Sequence, residues 1–122
     1  KVAVTPMNGF TRFAGTMELT GFNDNINPRR VKAISKSVSN YYQGLSLTQE
    51  EEASADFGLR PCSPDGLPYI GRTHKYKNLI IASGHAMMGW SLGPPTGKLV
   101  SEIISDKKLS LDIKPFHPDR KF

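Results

Sequence analysis

Alternating apolar and polar positions at the start of the chain predict a β-hairpin. The two predicted strands cover residues 1–7 and 10–21, and Asn8-Gly9 lies between them. Asn-Gly is a strong hairpin signal because both residues tolerate a positive φ. In the second strand, Met17 and Leu19 fall on one face, because side chains alternate between the two faces of a strand.

A helical period follows the hairpin. Asn27 suits the N-cap position and Pro28 suits the first helical position, so we predict an amphipathic helix over residues 28–42, ended by Gly44. The apolar positions at helical spacing are Val31, Ile34, Val38 and either Tyr41 or Tyr42. Lysine and arginine side chains occupy the outer face of this helix.

The middle of the chain reads as short extended segments separated by turns. Residues 45–53 are polar and acidic, and they predict either a connector or a short helical turn after Thr48. Residues 54–60 predict a strand, and residues 69–71 a short extended segment. The apolar, β-branched run at residues 79–83 predicts a buried strand.

The last part of the chain is a glycine- and proline-rich loop followed by a helix. The loop covers residues 84–97, and the helix is predicted over residues 95–106, before an extended tail. Its predicted buried stripe is Leu99, Val100, Ile103 and Ile104. The whole order of elements predicts an α+β fold, with an antiparallel sheet and two main helices.

Charge and composition exclude several classes of partner. The formal net charge is +5, but no block reaches the roughly five or six like charges of a nucleic-acid-binding tail, so we expect no nucleic-acid partner. Attraction to anions, such as the phosphates of a dinucleotide or an acidic membrane surface, stays open. No stretch has the roughly 20 apolar residues of a membrane span.

Cys62 is the one cysteine of the chain, so an internal disulfide is excluded. A single thiol fits a reducing compartment, and we expect a cytoplasmic location, with attachment to the inner membrane face as an open alternative. No second metal-ligand residue lies at ligand spacing from Cys62, so the sequence predicts no metal site.

An arginine held before a proline, Arg60-Pro61, is the first candidate for chemistry. The predicted strand ends at Arg60, so its side chain would leave in a fixed direction, and its planar guanidinium suits bidentate binding of a carboxylate. The alternative is a surface arginine paired with Asp65 or Glu52, and the residues alone favour it, since most arginines are solvated.

The second candidate is the start of the glycine-rich loop. A buried strand that leads through glycines into a helix offers free N–H groups and the positive end of the helix dipole. This arrangement suits a negative charge at the edge of a ligand. Met87, Met88 and Trp90 are bulky for a loop, so we expect a partner domain or a cofactor ring to cover them. The alternative is an ordinary connection in which His85 is structural.

The motifs together resemble the carboxy-terminal part of the D-amino-acid oxidase, glycine oxidase and D-amino-acid dehydrogenase family. The matching segments of the second half are Gly58-Leu59-Arg60-Pro61, Asp65-Gly66, Pro68-Tyr69-Ile70-Gly71, Gly84-His85 and Gly89-Trp90-Ser91 with Gly97. Those nearer the ends are Arg12 with Gly15-Thr16-Met17-Glu18, Asn27-Pro28-Arg29-Arg30, Pro115-Phe116 and Asp119-Arg120.

This resemblance implies an FAD-dependent oxidoreductase that oxidises the CH–NH group of D-amino acids by hydride transfer to the flavin. Arg60 would bind the substrate carboxylate, and Met87 and Tyr69 would line the substrate pocket; no catalytic side chain is implied. The implied cofactor-contacting residues are Gly84, His85, Met88, Gly89, Trp90 and Ser91. Asp56 stands where many members have a tryptophan, which leaves the substrate size open.

The resemblance also implies a division of the chain. Residues 1–58 would be a substrate-domain hairpin and helix, and residues 59–122 the flavin-edge loop, helix and tail. The chain contains no G-x-G-x-x-G fingerprint, so the FAD-binding domain would lie outside it. Because the chain starts at Lys1 within an alternating stretch, we expect a truncated piece that alone neither binds FAD tightly nor turns over amino acids.

Several alternatives stay open at this point. Within the family these are a glycine or sarcosine oxidase and a hydroxyproline-type dehydrogenase, with oxygen or a quinone as the electron acceptor. From another class, the chain could be a non-catalytic α+β interaction module that uses Met87, Met88 and Trp90 on a partner protein. Self-association of the isolated chain through the same residues is a further open possibility.

Overall fold

One antiparallel pair of strands lies in each of two units, Lys1–Gly58 and Leu59–Phe122, into which the chain divides. The computed structural model describes residues 2–122, so the start of the predicted first strand at Lys1 lies outside the described residues. Helices and antiparallel strands occur in both units, which confirms the predicted α+β class. The predicted antiparallel pairing is also confirmed, and it is divided between two separate sheets of two strands each.

The hairpin of the first unit is confirmed. Strand β1 (Ala3–Met7) pairs with β2 (Phe10–Ala14), and Met7 faces Phe10 across the turn. In that turn Gly9 has a φ of 84°, while Asn8 does not take a positive φ. The glycine is therefore the residue of this turn whose conformation requires a positive φ.

The predicted second strand is too long. Strand β2 ends at Ala14, which pairs with Ala3 at the start of β1, and Thr16 takes a φ of 62°. Ala14 is the last residue of β2 that pairs with β1 among the described residues, and the backbone leaves the extended conformation at Thr16. Met17 and Leu19 are exposed, with Leu19 at 86%, so their predicted common face covers no core within this unit.

The first helix starts as predicted and ends early. Helix α1 (Pro28–Val38) has Asn27 as its N-cap, whose Oδ1 accepts a hydrogen bond from the Arg29 amide at 3.0 Å. Towards its end, the Ser37 and Ser39 hydroxyls donate to helix carbonyls at 2.7 and 3.0 Å. Such side-chain hydrogen bonds weaken a helix, and residues 39–44 continue only as turns.

Residues 45–53 were predicted to form either a connector or a short helical turn after Thr48, and the structure has the helical turn. Helix α2 (Gln49–Ala53) begins with a capping box in which the Thr48 hydroxyl accepts from the Glu51 amide at 3.2 Å. The Glu51 carboxylate in turn accepts from the Thr48 amide at 2.7 Å. The strand predicted at residues 54–60 is wrong, because residues 55–60 form neither a strand nor a β-bridge.

The core of the second unit lies between a strand and a helix. Strand β3 (Tyr69–Arg72) pairs antiparallel with β4 (Ile80–Ser83), and helix α3 (Gly89–Ile104) packs on them. The buried members of the core are Ile70, Leu99 and Ile103, joined by the half-buried Ile80, Leu109, Ile113 and Phe116. Strand β4 is at most half-buried, unlike the predicted buried strand.

Helix α3 begins well before the predicted start at Pro95. A proline is favourable in the first turn of a helix, which is why the pair Pro94-Pro95 predicted a beginning. In the structure both prolines lie inside the helix. Because they lack an N–H, the carbonyls of Trp90 and Ser91 receive no helical hydrogen bond from them. The burial of the following turns against β3 offsets this loss.

The end of the chain folds back onto the second unit and is not the predicted extended tail. Helix α3 closes with the Lys107 amide bonded to the Glu102 carbonyl at 2.9 Å and with Asp106 at a φ of 48°. A short 3-10 turn (Lys114–Phe116) then carries Phe116 to the core. No helix among residues 2–122 has the length and apolar character needed to cross a bilayer.

Candidate functional site

A tight loop joins strand β4 to helix α3, and Gly84 makes this loop possible. Gly84 is buried and has a φ of 83°, a conformation that favours glycine. A Cβ at Gly84 would lie 3.2 Å from Cδ2 of Tyr69 and 3.7 Å from Cα of Pro68. Tyr69 therefore lies directly against the loop, and only a glycine allows this close approach.

The structure brings the two candidate motifs together. Cys62 forms an isolated antiparallel bridge with His85, and the Ala86 amide donates to the Pro61 carbonyl at 3.0 Å. Ala86 itself takes a φ of 48°, so the loop turns sharply at this contact. Arg60 thus immediately precedes a segment that is hydrogen-bonded to the glycine loop.

Arg60 is exposed, and it does not end a strand as the sequence predicted. The alternative interpretation, a surface arginine, agrees with this exposure, but the structure pairs Arg60 with neither Asp65 nor Glu52, and Asp65 is bound by Arg120. Among the described residues Arg60 forms no ion pair, so its guanidinium retains its full capacity to bind a carboxylate.

His85 fastens the loop to helix α3. Its Nε2 lies 2.9 Å from the Thr96 hydroxyl, and the side chain is half-buried. Gly89 lies beside it, and a Cβ at Gly89 would be 3.6 Å from the His85 Cβ, an ordinary contact. The His85 ring is therefore directed to the helix, and its neighbourhood fits a structural side chain that holds the loop in position.

The amino end of helix α3 presents three free amides. Met88 is the N-cap and makes no side-chain capping bond, and the first helical hydrogen bond runs from the Leu92 amide to the Met88 carbonyl at 2.8 Å. Within the described part of the chain, the N–H groups of Gly89, Trp90 and Ser91 have no acceptor. Residues predicted to be loop therefore form the first turn, where the helix dipole favours negative charge.

Bulky apolar side chains surround these free amides. Met87 is 63% exposed, Met88 53% and Trp90 96%. An apolar cluster of this kind rimmed by polar groups marks a surface that another group covers. These side chains lie next to the free amides of the first helical turn, so this helix end combines an apolar face with an edge that suits an anion.

An ion pair that is not predicted from the sequence supports the turn before Tyr69. Arg120 Nε and Nη2 donate to the two Asp65 carboxylate oxygens at 2.8 Å each. Arg120 also donates to the Leu67 carbonyl at 2.7 Å and the Pro68 carbonyl at 3.2 Å. Its guanidinium carbon lies 4.1 Å from the Tyr69 ring centroid.

This network fixes the turn that presents Tyr69 to the glycine loop. Hydrogen bonds from Arg120 hold the pKa of the Asp65 carboxyl far below its usual range, and the same bonds raise the pKa of Arg120. The only signals in the sequence were the Asp65-Gly66 turn and Arg120 near the end of the chain. Their separation along the chain gives no local pattern that would pair them.

Comparisons with known proteins agree with one another. The sequence profile described as FAD dependent oxidoreductase matches residues 1–103. The chain is 33% identical over 120 residues to D-amino acid dehydrogenase 1 of Mesorhizobium japonicum, covering 98% of this chain and 28% of that protein. The crystal structure of glycine oxidase from Geobacillus kaustophilus superposes with a TM-score of 0.62 at 22% identity, covering 99% of this chain and 32% of that one.

Proposed function

The chain belongs to the FAD dependent oxidoreductase family, and we propose that it is the carboxy-terminal part of an enzyme that oxidises the CH–NH group of D-amino acids. The substrate class is suggested by the 33% identity to a D-amino acid dehydrogenase. The chain spans 28% of that relative, which leaves room for a separate FAD-binding domain.

The flavin would contact this chain at the amino end of helix α3. The free N–H groups of Gly89, Trp90 and Ser91 fit the electronegative edge of an isoalloxazine ring, and the exposed Met88 and Trp90 fit its apolar face. The helix dipole would stabilise negative charge at that edge. When bound, FAD supplies the acceptor for the substrate hydride. The residues here fit only this edge of the cofactor, since no phosphate-binding glycine motif is present.

Gly84 and His85 act on the same loop without offering a side chain to the ring. Gly84 lets the backbone pass Tyr69, and His85 ties the loop to Thr96. We assign them to holding the amides in place, since preorganised donors stabilise charge without reorganisation.

The substrate carboxylate would bind Arg60. This guanidinium is free of ion pairs among the described residues and precedes the segment bonded to Ala86. A bidentate pair would orient the amino acid, which removes part of the entropic barrier to reaction. Met87, exposed at the loop, and Tyr69, packed beneath it, would bound the substrate pocket.

The single observation that carries this proposal is the hydrogen bond between the Ala86 amide and the Pro61 carbonyl, because it joins the arginine segment to the helix end. The test uses the full-length protein that contains this chain. We expect it to be yellow with an oxidised-flavin spectrum, and D-amino acids should bleach that spectrum under anaerobic conditions.

The same experiment separates the other candidates. If glycine or sarcosine bleaches the flavin and bulkier D-amino acids do not, the enzyme is a glycine or sarcosine oxidase. If hydroxyproline alone bleaches the flavin, the enzyme is a hydroxyproline-type dehydrogenase. A colourless full-length protein that gains no flavin on incubation with FAD would contradict the enzyme and favour an interaction module.

A further inference from the structure

Two histidines and an aspartate meet at the edge of the second unit, away from the loop between β4 and α3. One nitrogen of His74, one nitrogen of His117 and one carboxylate oxygen of Asp119 all lie within 4.8 Å of one another. We propose that these three side chains form a binding site for a divalent transition-metal ion of the zinc type.

The spacing of the donor atoms fits such an ion. His74 Nδ1 lies 3.2 Å from Asp119 Oδ2. Two ligand atoms at about 2.0–2.1 Å from a tetrahedral zinc ion lie about 3.3 Å apart, so this pair needs almost no movement. The rings of His74 and His117 stack with centroids 4.5 Å apart, which brings the third donor into the same region.

The backbone holds Asp119 close to both histidines before any ion binds. The His74 amide donates to Asp119 Oδ2 at 2.6 Å, and the Asp119 amide donates to His117 Nδ1 at 3.1 Å. An ion bound through His117 would replace the second of these bonds, because it occupies the Nδ1 lone pair and leaves the proton on Nε2. Between the two tail ligands, Pro118 packs on strand β3, where a Cβ at Gly71 would lie 3.2 Å from the Pro118 Cδ. The tail is therefore seated on the strand that leads to His74.

The cationic side chains next to the ligands in sequence do not pair with the donor atoms. The two cationic neighbours in sequence, Lys75 and Arg120, are engaged elsewhere: Lys75 lies 5.3 Å from the Tyr76 ring centroid, and Arg120 binds Asp65. Two imidazoles and one carboxylate favour zinc, nickel or copper over magnesium or calcium, which prefer oxygen ligands. Three protein ligands leave coordination positions for water.

The sequence predicts no metal site, because no metal-ligand residue lies at ligand spacing from Cys62. His74 and Asp119 lie 45 positions apart, so no local motif joins them. A bound ion would connect the turn between β3 and β4 with the tail that carries Arg120, and would therefore stabilise the support beneath Tyr69. This role is independent of the proposed reaction.

The test measures binding of Zn²⁺ to the full-length protein after removal of metals with a chelator. Calorimetry should show that the unmodified protein binds one more equivalent of Zn²⁺ than His74→Gln or His117→Asn. If a variant still binds that equivalent, its affinity should be at least about tenfold lower than that of the unmodified protein. Co²⁺ in place of Zn²⁺ should give visible d–d absorption that the same variants lose. Asp112→Asn, a change of a tail carboxylate outside the cluster, should bind like the unmodified protein.

The His74 side chain is 80% exposed, so the His74→Gln variant tests binding without disturbing the fold. Zn²⁺ should also raise the melting temperature of the unmodified protein and of Asp112→Asn, but not that of His74→Gln. Equal stoichiometry and affinity in the unmodified protein and both histidine variants would overturn the proposal. So would the absence of any Zn²⁺ binding by the unmodified protein. Loss of flavin or activity would not bear on this result, which separates it from the proposed function.

Discussion

Arg120 binds Asp65 through two parallel hydrogen bonds of 2.8 Å, across 55 positions of the chain. The pair closes the tail of the second unit over the turn that leads into β3. Its geometry is the bidentate arrangement in which an arginine is not replaceable by lysine. This turn places Tyr69 against Gly84, so the ion pair supports the position of the glycine loop through Tyr69.

Replacement of Arg120 by lysine should therefore lower the melting temperature of the full-length protein, although the charge is kept. Lysine cannot make the two parallel bonds to Asp65 or reach the Leu67 and Pro68 carbonyls at once. The control is Lys121→Arg, the reverse exchange at the next position. Equal melting temperatures for Arg120→Lys and the unmodified protein would show that the bidentate geometry contributes nothing.

The stability that Asp65 contributes should depend on pH in a defined direction. Its pKa is lowered in the folded protein from an ordinary value of 3.8, chiefly by hydrogen bonds from Arg120. A lowered pKa means that the contribution is fully present above 3.8 and is lost as pH falls from there towards the folded value. The difference in melting temperature between the unmodified protein and Asp65→Asn should be constant near neutral pH and shrink below pH 3.8. A difference that grows on acidification would contradict this.

A methyl group at Gly84 should destabilise the protein. Gly84→Ala forces a left-handed φ on an L-residue and places Cβ 3.2 Å from the Tyr69 ring, so we expect a loss of about 1–2 kcal/mol or more in the free energy of unfolding. The matched control is Gly97→Ala in helix α3, where a Cβ meets nothing within 4 Å. Gly97→Ala should raise the free energy of unfolding by about 1 kcal/mol, because alanine has a higher helix propensity than glycine. Denaturant unfolding measures both.

Local signals predicted much of this fold correctly. The Asn8-Gly9 turn, the Asn27 cap and the Thr48 capping position are each determined by residues within a few positions of one another, so the sequence suffices to find them. The strand–helix junction at Gly84 is likewise predicted by local signals, because its glycines and bulky apolar residues are visible in the sequence, while its contact with a flavin stays a prediction.

The errors arise where distant partners decide the outcome. The sequence predicted strands over residues 10–21 and 54–60, but in the part of the chain that the structure describes residues 15–21 and 55–60 belong to no sheet. Pro94 and Pro95 predicted a helix start, yet packing of Leu99 and Ile103 on Ile70 accompanies a helix that runs through both prolines. The pairing of Arg120 with Asp65 and of His74 with Asp119 has no local signature at all.

Removal of the Arg60 guanidinium should weaken use of the substrate by the full-length enzyme. A charge-assisted hydrogen-bonded pair contributes about 1.5–3 kcal/mol, so Arg60→Ala should lower kcat/KM for a D-amino acid roughly 10- to 150-fold. The exposed Arg29 of helix α1 provides the control, because Arg29→Ala removes the same charge at a position outside the proposed site. Unchanged kcat/KM in Arg60→Ala would remove Arg60 from the substrate site.

The isolated chain, residues 1–122, should be colourless and inactive. It contains no phosphate-binding glycine motif, so most contacts to FAD would have to come from the remaining part of the protein. The measurement is the flavin absorbance of the purified chain after incubation with FAD and gel filtration, with the full-length protein as the positive control. Retained flavin or turnover of D-amino acids by the chain alone would refute the division of the site between two domains.

Trp90 should report the covering of the apolar cluster directly. The chain has one tryptophan, and its side chain is 96% exposed, so the isolated chain should show red-shifted emission that iodide quenches readily. In the full-length protein, the difference in emission between the unmodified protein and Trp90→Phe isolates the signal of Trp90. We expect that difference spectrum to be blue-shifted or quenched, because a flavin ring or the remaining part of the protein covers the indole.

Trp90→Phe should preserve the helix, since the Trp90 side chain is exposed and only its backbone is part of the helix. The contradicting result is a Trp90 emission in the full-length protein that is as red-shifted, and as strongly quenched by iodide, as in the isolated chain. Trp90 would then be in water, and this helix end would not contact the flavin.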